Sequence, residues 1–411
     1  MVYEVDLTQV TYALSDALDL VGGGVVQHGK RVTLIALETA RGLQLPSAET
    51  EPLALASLIH DCGVSTTTLH RKLLQNFDWE GDRDHCARGY SLLAPFAPLE
   101  DEARLVQEHH TRWDEHLERE TPPRTAFLSN LIFLADRVDA LIQQRVDRDL
   151  LIARRDIRTA VRRLSGDYFA PELVEAFLRV SLSESLWLLL EPHHLERFLG
   201  QLVGRLRPRR ITFEELRHLA EIFATIVDAK SPFTADHSRG VSRLARLLGE
   251  LLGLPEKDLG LLEVAGLLHD LGKLRVPDEI LDKPAALTEL EFASMERHTF
   301  ETFQILSRLE TLAPLAEWAA YHHESITGEG YPFRRAGDDV AVQARIMAVA
   351  DVYQALAQDR PYRRALAPAQ ILRTLREMSE SGKLDPALVE LVARSPESCW
   401  QAAVGRGGPP A

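Results

Sequence analysis

Apolar residues recur along this chain at three- and four-residue spacing. Val241, Leu244, Leu248 and Leu251 form one such stripe, and Val32 and Ile35 belong to another. That is the period of a helix with one face turned to a core. Long alternations of apolar and polar residues, the strand pattern, are missing. Pro and Gly fall mainly between the periodic segments, as in Gly253-Leu254-Pro255, where they end one helix and open the next. The pattern predicts an all-α fold.

Against this helical background a set of His and Asp residues occurs twice in the same order. Gln27-His28-Gly29-Lys30-Arg31-Val32 parallels Asp236-His237-Ser238-Arg239-Gly240-Val241, and Leu58-Ile59-His60-Asp61-Cys62-Gly63 parallels Leu267-Leu268-His269-Asp270-Leu271-Gly272. His85 parallels His298, His109-His110 parallels His322-His323, and Asp136 parallels Asp351. The offset grows from 209 at the first two pairs, through 213, to 215 at the last. A slowly drifting offset is what duplication followed by small loop insertions produces. The basic, Pro-containing stretch Arg205–Arg210 reads as the linker, giving domains over 1–205 and 206–411.

Composition narrows the class. The 411 residues carry 47 Lys and Arg against 61 Asp and Glu, a net charge of −14, with 45% hydrophobic residues. So acidic a surface argues against a binder of polymeric nucleic acid or of an anionic membrane. No apolar run approaches the roughly 20 residues of a spanning helix. The N-terminus lacks the basic-then-apolar order of a signal peptide. Three cysteines, Cys62, Cys86 and Cys399, build no disulfide framework and point to a reducing compartment. The expectation is a cytoplasmic protein.

The C-terminal set is His237, His269, Asp270, His298, His322, His323 and Asp351. Imidazole mixed with carboxylate suits iron, manganese or zinc rather than calcium or magnesium. Seven donors are too many for one ion and suit two, with one carboxylate bridging. Adjacent His269-Asp270 on a helix can address one ligand to each ion. His322-His323 can do so only where a helix end splays them. Two ions about 3.5–4 Å apart clamp a phosphoryl group and turn a bridging water into hydroxide near neutral pH, ready to attack phosphorus in line. Lys273, three residues after Asp270, shares its helical face and is placed to stabilise charge on the phosphate oxygens.

These residues, with Arg297-His298-Thr299, His322-His323-Glu324 leading to Gly328-Glu329-Gly330-Tyr331-Pro332, and Arg360-Pro361-Tyr362-Arg363, resemble the HD superfamily of metal-dependent phosphohydrolases, in its HD-GYP branch. The resemblance covers roughly residues 212–400. It implies a bacterial phosphodiesterase that opens a cyclic dinucleotide, cyclic di-GMP or cyclic GMP-AMP, to a linear 5′-phosphorylated dinucleotide. It also implies that His237, His269, Asp270 and Asp351 hold one metal and Asp270, His298, His322 and His323 the other. Lys273 would touch the scissile phosphate, and Tyr331, Arg360 and Arg363 would line the dinucleotide site. Iron or manganese is the expected metal.

Three positions depart from the branch. Phe233 stands where members with a third metal have Glu, so two metals are expected. Thr327 replaces an Asp before the Gly-Tyr-Pro loop, and Thr302 replaces a Gly after the third histidine. The last two leave room for the mixed GMP-AMP ring. Glu324 reads either as orienting a ligand imidazole or as a solvated loop charge, and Cys62 as a small buried apolar residue.

The N-terminal half keeps His28, His60, Asp61, His85, His109, His110 and Asp136, a candidate second metal site, and resembles the HD superfamily over roughly residues 10–200. It lacks the lysine, replaced by Val64, and the Gly-Tyr-Pro loop. Arg145-Val146-Asp147-Arg148 stands for the Arg-Pro-Tyr-Arg stretch. Two readings stay open: a regulatory domain, or a second phosphatase site acting on a phosphate monoester. For the whole chain the alternatives are a broader nucleotide phosphohydrolase and a cyclic-dinucleotide receptor that does not cut. No oligomeric state is written in the sequence.

Overall fold

The computed structural model describes residues 5–21, 27–75, 83–145, 147–231, 236–359 and 363–405. Among these the chain is helical throughout, apart from a two-stranded sheet of Val5–Asp6 with Arg210–Ile211. It divides into two compact units, one of Asp6–Ile211 and one of Thr212–Ala411 with Met1–Val5.

The stretch expected to be the linker is partly absorbed into the first unit. The Leu7 amide donates to the Arg209 carbonyl at 2.8 Å, and the Arg209 amide donates to Asp6 Oδ1 at 3.2 Å. The Arg209 guanidinium reaches the buried Glu102 carboxylate. The division at 211/212 therefore falls later than the 205/206 read from composition. Thr212 then opens the second unit as the cap of the helix Phe213–Asp228, exchanging side-chain and backbone hydrogen bonds with Glu215. This reciprocal pair satisfies amide groups that a helix start leaves open.

Each unit has a central helix that is apolar on nearly all sides. In the second unit it is Glu256–Leu268, with Leu259, Leu262, Val264, Ala265, Leu267 and Leu268 buried. In the first it is Ser47–Ile59, buried from Leu53 to Ile59. A helix without a polar face belongs in the core. Its C-terminal end therefore lies deep in the unit, and that end carries the His-Asp pair in both halves. Around the central helix of the second unit pack His237–Leu251 and Val342–Ala357, which carry His237 and Asp351. The helix Glu289–Leu306 carries His298 and starts on a Thr288–Glu291 capping box. The described residues contain no helix long and apolar enough to cross a membrane.

Candidate metal centres

Helix ends deliver most of the C-terminal cluster. His237 lies in the first turn of His237–Leu251, whose start is held by Asp228 through the Ser238 amide at 3.2 Å and hydroxyl at 2.8 Å. His269 caps the end of the central helix, and Asp270 opens the tight turn Leu271–Arg275. His322 and His323 sit on the 3₁₀ turn Tyr321–His323 that ends Ala313–Ala320. This is the helix end expected to splay them. Gly272 lets the turn after Asp270 press on the His298 helix, because a Cβ there would stand 2.0 Å from the His298 carbonyl oxygen. The Thr302 hydroxyl seals the contact. It accepts from the Gly272 amide and donates to the His269 carbonyl, both at 3.0 Å.

The imidazoles are aimed by their outer nitrogens. Nδ1 of His269, His298 and His322 donates to the carbonyl three residues earlier, at 2.8, 2.6 and 2.6 Å. Nδ1 of His237 meets Gln354 Oε1 at 2.5 Å. Such partners orient the rings and leave the Nε2 atoms facing inward. Asp270 stands at the middle. Its Oδ2 is 3.6 and 3.3 Å from Nε2 of His237 and His269, and its Oδ1 is 3.5 and 3.9 Å from Nε2 of His298 and His322. Asp351 Oδ1 lies 3.2 Å from His237 Nε2 and 3.8 Å from His269 Nε2. His323 groups with His298 and His322. One carboxylate thus spans two histidine groups.

Burial alone would raise the Asp270 carboxyl, but the charges of His269 and Lys273 hold it well below the usual range. Burial pushes His298 down to about 3 and His323 to about 4. It opposes but does not cancel the pull of Asp270 and Asp351, which carries His269 up to about 10. The buried atoms His237 Nε2, His269 Nε2 and Asp270 Oδ1 have no hydrogen-bond partner among the described residues. Buried polar atoms are rarely left so, and mixed N/O donors at these spacings fit divalent transition ions.

Lys273 lies in the 3₁₀ turn rather than on a helical face, and its Nζ is 2.5 Å from Asp270 Oδ2. Beside His322 and His323 opens a cavity of about 370 Å³, lined also by Phe292, Thr327, Tyr331 and Lys383, among others. The Tyr331 ring lies 4.9 Å from that of His323. Its loop is pinned from within. The buried Glu324 carboxylate accepts the amides of Phe333 at 2.7 Å and Arg335 at 3.0 Å, so it is neither an imidazole partner nor a solvated charge. Thr302 lies on the backbone behind the cluster, whereas Thr327 lies in the cavity wall. Arg363 departs from expectation. Its guanidinium donates to the carbonyls of Ala355, Leu356 and Arg364 at 2.8–2.9 Å, and among the described residues it is not part of the cavity lining. Unsatisfied carbonyls at a helix C-terminus are a ready partner for such a cation. Arg360, Tyr362 and Phe233 lie outside the described residues.

The N-terminal cluster repeats the plan. Asp61 Oδ2 faces Nε2 of His28 and His60 at 3.6 and 3.7 Å, and its Oδ1 faces Nε2 of His85 and His109 at 3.4 and 3.8 Å. Asp136 Oδ1 is 3.3 Å from His28 Nε2, and its Oδ2 is 3.4 Å from His110 Nε2. His60 and His109 donate Nδ1–H to the carbonyls three residues back. A Cβ on Gly63 would stand 1.9 Å from the His85 oxygen, matching Gly272. The surroundings differ. Asp139 replaces Gln354 on the first histidine, 2.7 Å from His28 Nδ1, and is balanced by the Arg31 guanidinium, whose Nη2 is 3.0 Å away. Arg137 is bound to Asp136 at 2.7 Å, and the buried Val64 holds the lysine position. The cavity beside His28, His60, Asp61 and Val64 measures about 10 Å³. Cys62 is buried, as expected.

Sequence reading passed over Asp19 and Asp228, which hold the amides of Gly29 and Ser238, and the pair Asp139 and Gln354. Both pairs keep the repeat offsets, 209 and 215, and extending the repeat beyond His and Asp ligands would have found them. It also passed over Cys86, which lies among the N-terminal histidines.

Fold and clusters together define a class: tandem all-α domains, each built round a buried His/Asp cradle suited to divalent metal. Comparison with known proteins agrees. The HD domain family matches residues 221–388 and, separately, residues 25–141. The 3'3'-cGAMP-specific phosphodiesterase 1 of Vibrio cholerae is 34% identical over 98% of this chain and 94% of that protein. A cyclic di-GMP phosphodiesterase of Thermotoga maritima is 36% identical over 43% of this chain and 48% of that one. The crystal structure of a cyclic GMP-AMP phosphodiesterase of V. cholerae superposes with a TM-score of 0.67 over 98% of this chain and 99% of that one, at 24% identity, a likeness of fold. The chain belongs to the HD superfamily of metal-dependent phosphohydrolases, in its HD-GYP branch, with two HD domains.

Proposed function

We propose that the C-terminal unit hydrolyses a cyclic dinucleotide to a linear 5′-phosphorylated dinucleotide. The observation that carries this is Asp270, set between two histidine groups, one of which lines a 370 Å³ cavity through His322 and His323. His237, His269, Asp270 and Asp351 would hold one ion, and Asp270, His298, His322 and His323 the other. Two such ions supply Lewis-acid polarisation of the phosphoryl group and a nucleophile available at neutral pH. The mixed donor set favours iron or manganese.

The chain's own residues do the rest. Lys273 neutralises charge developing on the phosphate oxygens. Its present partner, Asp270, holds it against the cluster. The Tyr331 ring offers a flat apolar face for a base, next to His323. Thr327, a hydroxyl where an acid is usual in the branch, removes a charge from the cavity wall. This fits the mixed GMP-AMP ring, on which the relative that matches almost end to end is specific by its name. The reducing environment implied by three cysteines outside any disulfide is that of the cytoplasm.

For the N-terminal unit we infer a metal-holding domain with a supporting role. Val64 in place of the lysine and a cavity of about 10 Å³ favour this over a second phosphatase. The test is a product profile by mass spectrometry. Chain loaded with iron or manganese is offered cyclic GMP-AMP, cyclic di-GMP and cyclic di-AMP. Linear 5′-phosphorylated product is expected, and Asp270→Ala should cut its rate more than about a hundredfold, beyond the 10–100-fold typical of outer-shell changes. Bound but uncut ligand on the loaded chain would establish the receptor instead.

A further inference from the structure

The second histidine group of the N-terminal unit has a donor that its C-terminal counterpart lacks. Cys86 follows His85, and Thr299 holds the same place after His298. Cys86 is 1% exposed. Its Sγ lies 3.5 Å from His85 Nε2 and 4.0 Å from His109 Nε2, and those nitrogens are 3.3 Å apart. Asp61 Oδ1 lies 3.4 and 3.8 Å from the same two nitrogens. In a tetrahedron with zinc–nitrogen bonds of about 2.0–2.1 Å and a zinc–sulfur bond of about 2.3 Å, the N···N and N···S edges come to about 3.4 and 3.6 Å.

A second observation points to an ion. Nε2 of the fully buried His60, which groups with Asp61 and His109, has no hydrogen-bond partner among the described residues. Meanwhile His110 directs its Nε2 to Asp136, on the side of His28 and His60. The thiol thus stands close to the position a third histidine would otherwise supply.

We propose that Asp61, His85, His109 and the Cys86 thiolate hold one tetrahedral ion of the zinc class. On binding, the Cys86 S–H gives its proton to solvent and the sulfur donates an electron pair to the metal. Thiolate selects zinc over manganese, so the two units differ in the softness of their sites. Four protein ligands close the coordination sphere, which makes this ion structural. The proposal rests on the inference that the N-terminal unit holds metal and is independent of the cyclic-dinucleotide reading.

The test uses the full chain, stripped and reloaded with Co²⁺. Cobalt–thiolate coordination gives an intense near-ultraviolet charge-transfer band that nitrogen and oxygen ligands do not. The band is expected in the native chain, lost in Cys86→Ser and kept in Cys62→Ser and Cys399→Ser. An absent band in the cobalt-loaded native chain overturns thiolate ligation whether or not the variants fold, and so does a band that survives Cys86→Ser. Repeating the titration in Asp270→Ala, with the C-terminal set broken, separates the premises. Cobalt retained there without the band removes only the thiolate, whereas no retained cobalt removes the N-terminal metal as well. Cleavage of cyclic dinucleotides by the native chain, measured separately, is untouched by either result.

Discussion

The hydroxyl of Thr302 holds two pieces of backbone at once, accepting from Gly272 and donating to the carbonyl of His269. From sequence this position stands out only as a departure from glycine, and its effect is expected in the substrate pocket. The structure places it behind the metal cradle instead, where it fixes the turn that carries Asp270. Thr302→Val keeps the shape and strands a buried donor and acceptor, so stability should fall by about 1–3 kcal/mol. Thr302→Ser, which keeps the hydroxyl, should lose less. Thermal unfolding of both variants measures this, and equal losses would show that the methyl packing matters and the hydroxyl does not.

At the scale of elements, one device recurs. A core helix ends with the histidine as its cap and the aspartate next, and a glycine two residues on lets the chain turn against a second histidine helix. The His-Asp and glycine spacing announces this turn in sequence. The loop Ser325–Arg335 is different, because its second half is held by one buried carboxylate. Removing it by Glu324→Ala frees the amides of Phe333 and Arg335 and loosens the support of Tyr331. KM for the cyclic dinucleotide should rise roughly tenfold, the equivalent of about 1.4 kcal/mol of lost positioning, with a smaller change in kcat. Steady-state kinetics decides. An unchanged KM would mean that Tyr331 is held by its other contacts, such as its amide on the His323 carbonyl at 3.1 Å.

For the molecule as a whole, the clusters make metal-free stability depend on pH. Burial holds His85, His116 and His323 down at about 4 and His298 at about 3. The folded chain keeps them neutral while the unfolded chain protonates near 6.5. Their contribution is therefore present above that pH and lost as pH falls towards 4, at up to about 1.4 kcal/mol per unit for each. The lowered carboxyls Asp61, Asp136, Asp270 and Asp351 add to the loss at the acid end, and Asp19, raised to about 6 by burial, offsets part of it. His269, raised to about 10 by its carboxylate neighbours against the cost of burial, acts oppositely. Its contribution is full below 6.5 and lost as pH climbs to 10. Chelator-treated chain should thus be most stable near pH 6.5 and weaken on both sides. Added metal should stabilise it at pH 7 by about 2.7 kcal/mol at a hundred times the dissociation constant. Calorimetry with and without chelator reads both. A flat pH profile in the stripped chain would contradict the buried neutral histidines.

Helical period, the doubled His/Asp order and the Gly-Tyr-Pro loop are properties of residue type and spacing, and from them follow the all-α fold, the two domains and the metal-dependent family. Other features arise from residues far apart in the chain. Asp139 and Gln354 meet the first histidine of each set across 111 and 117 residues, and Arg363 turns to a helix end instead of the cavity. Cys86 becomes a donor only because His109 folds back beside it. Local patterns record which side chains can bind an ion. Which ones face the same few ångströms of space is decided by packing, since a buried polar atom takes whatever partner the close-packed core brings within reach.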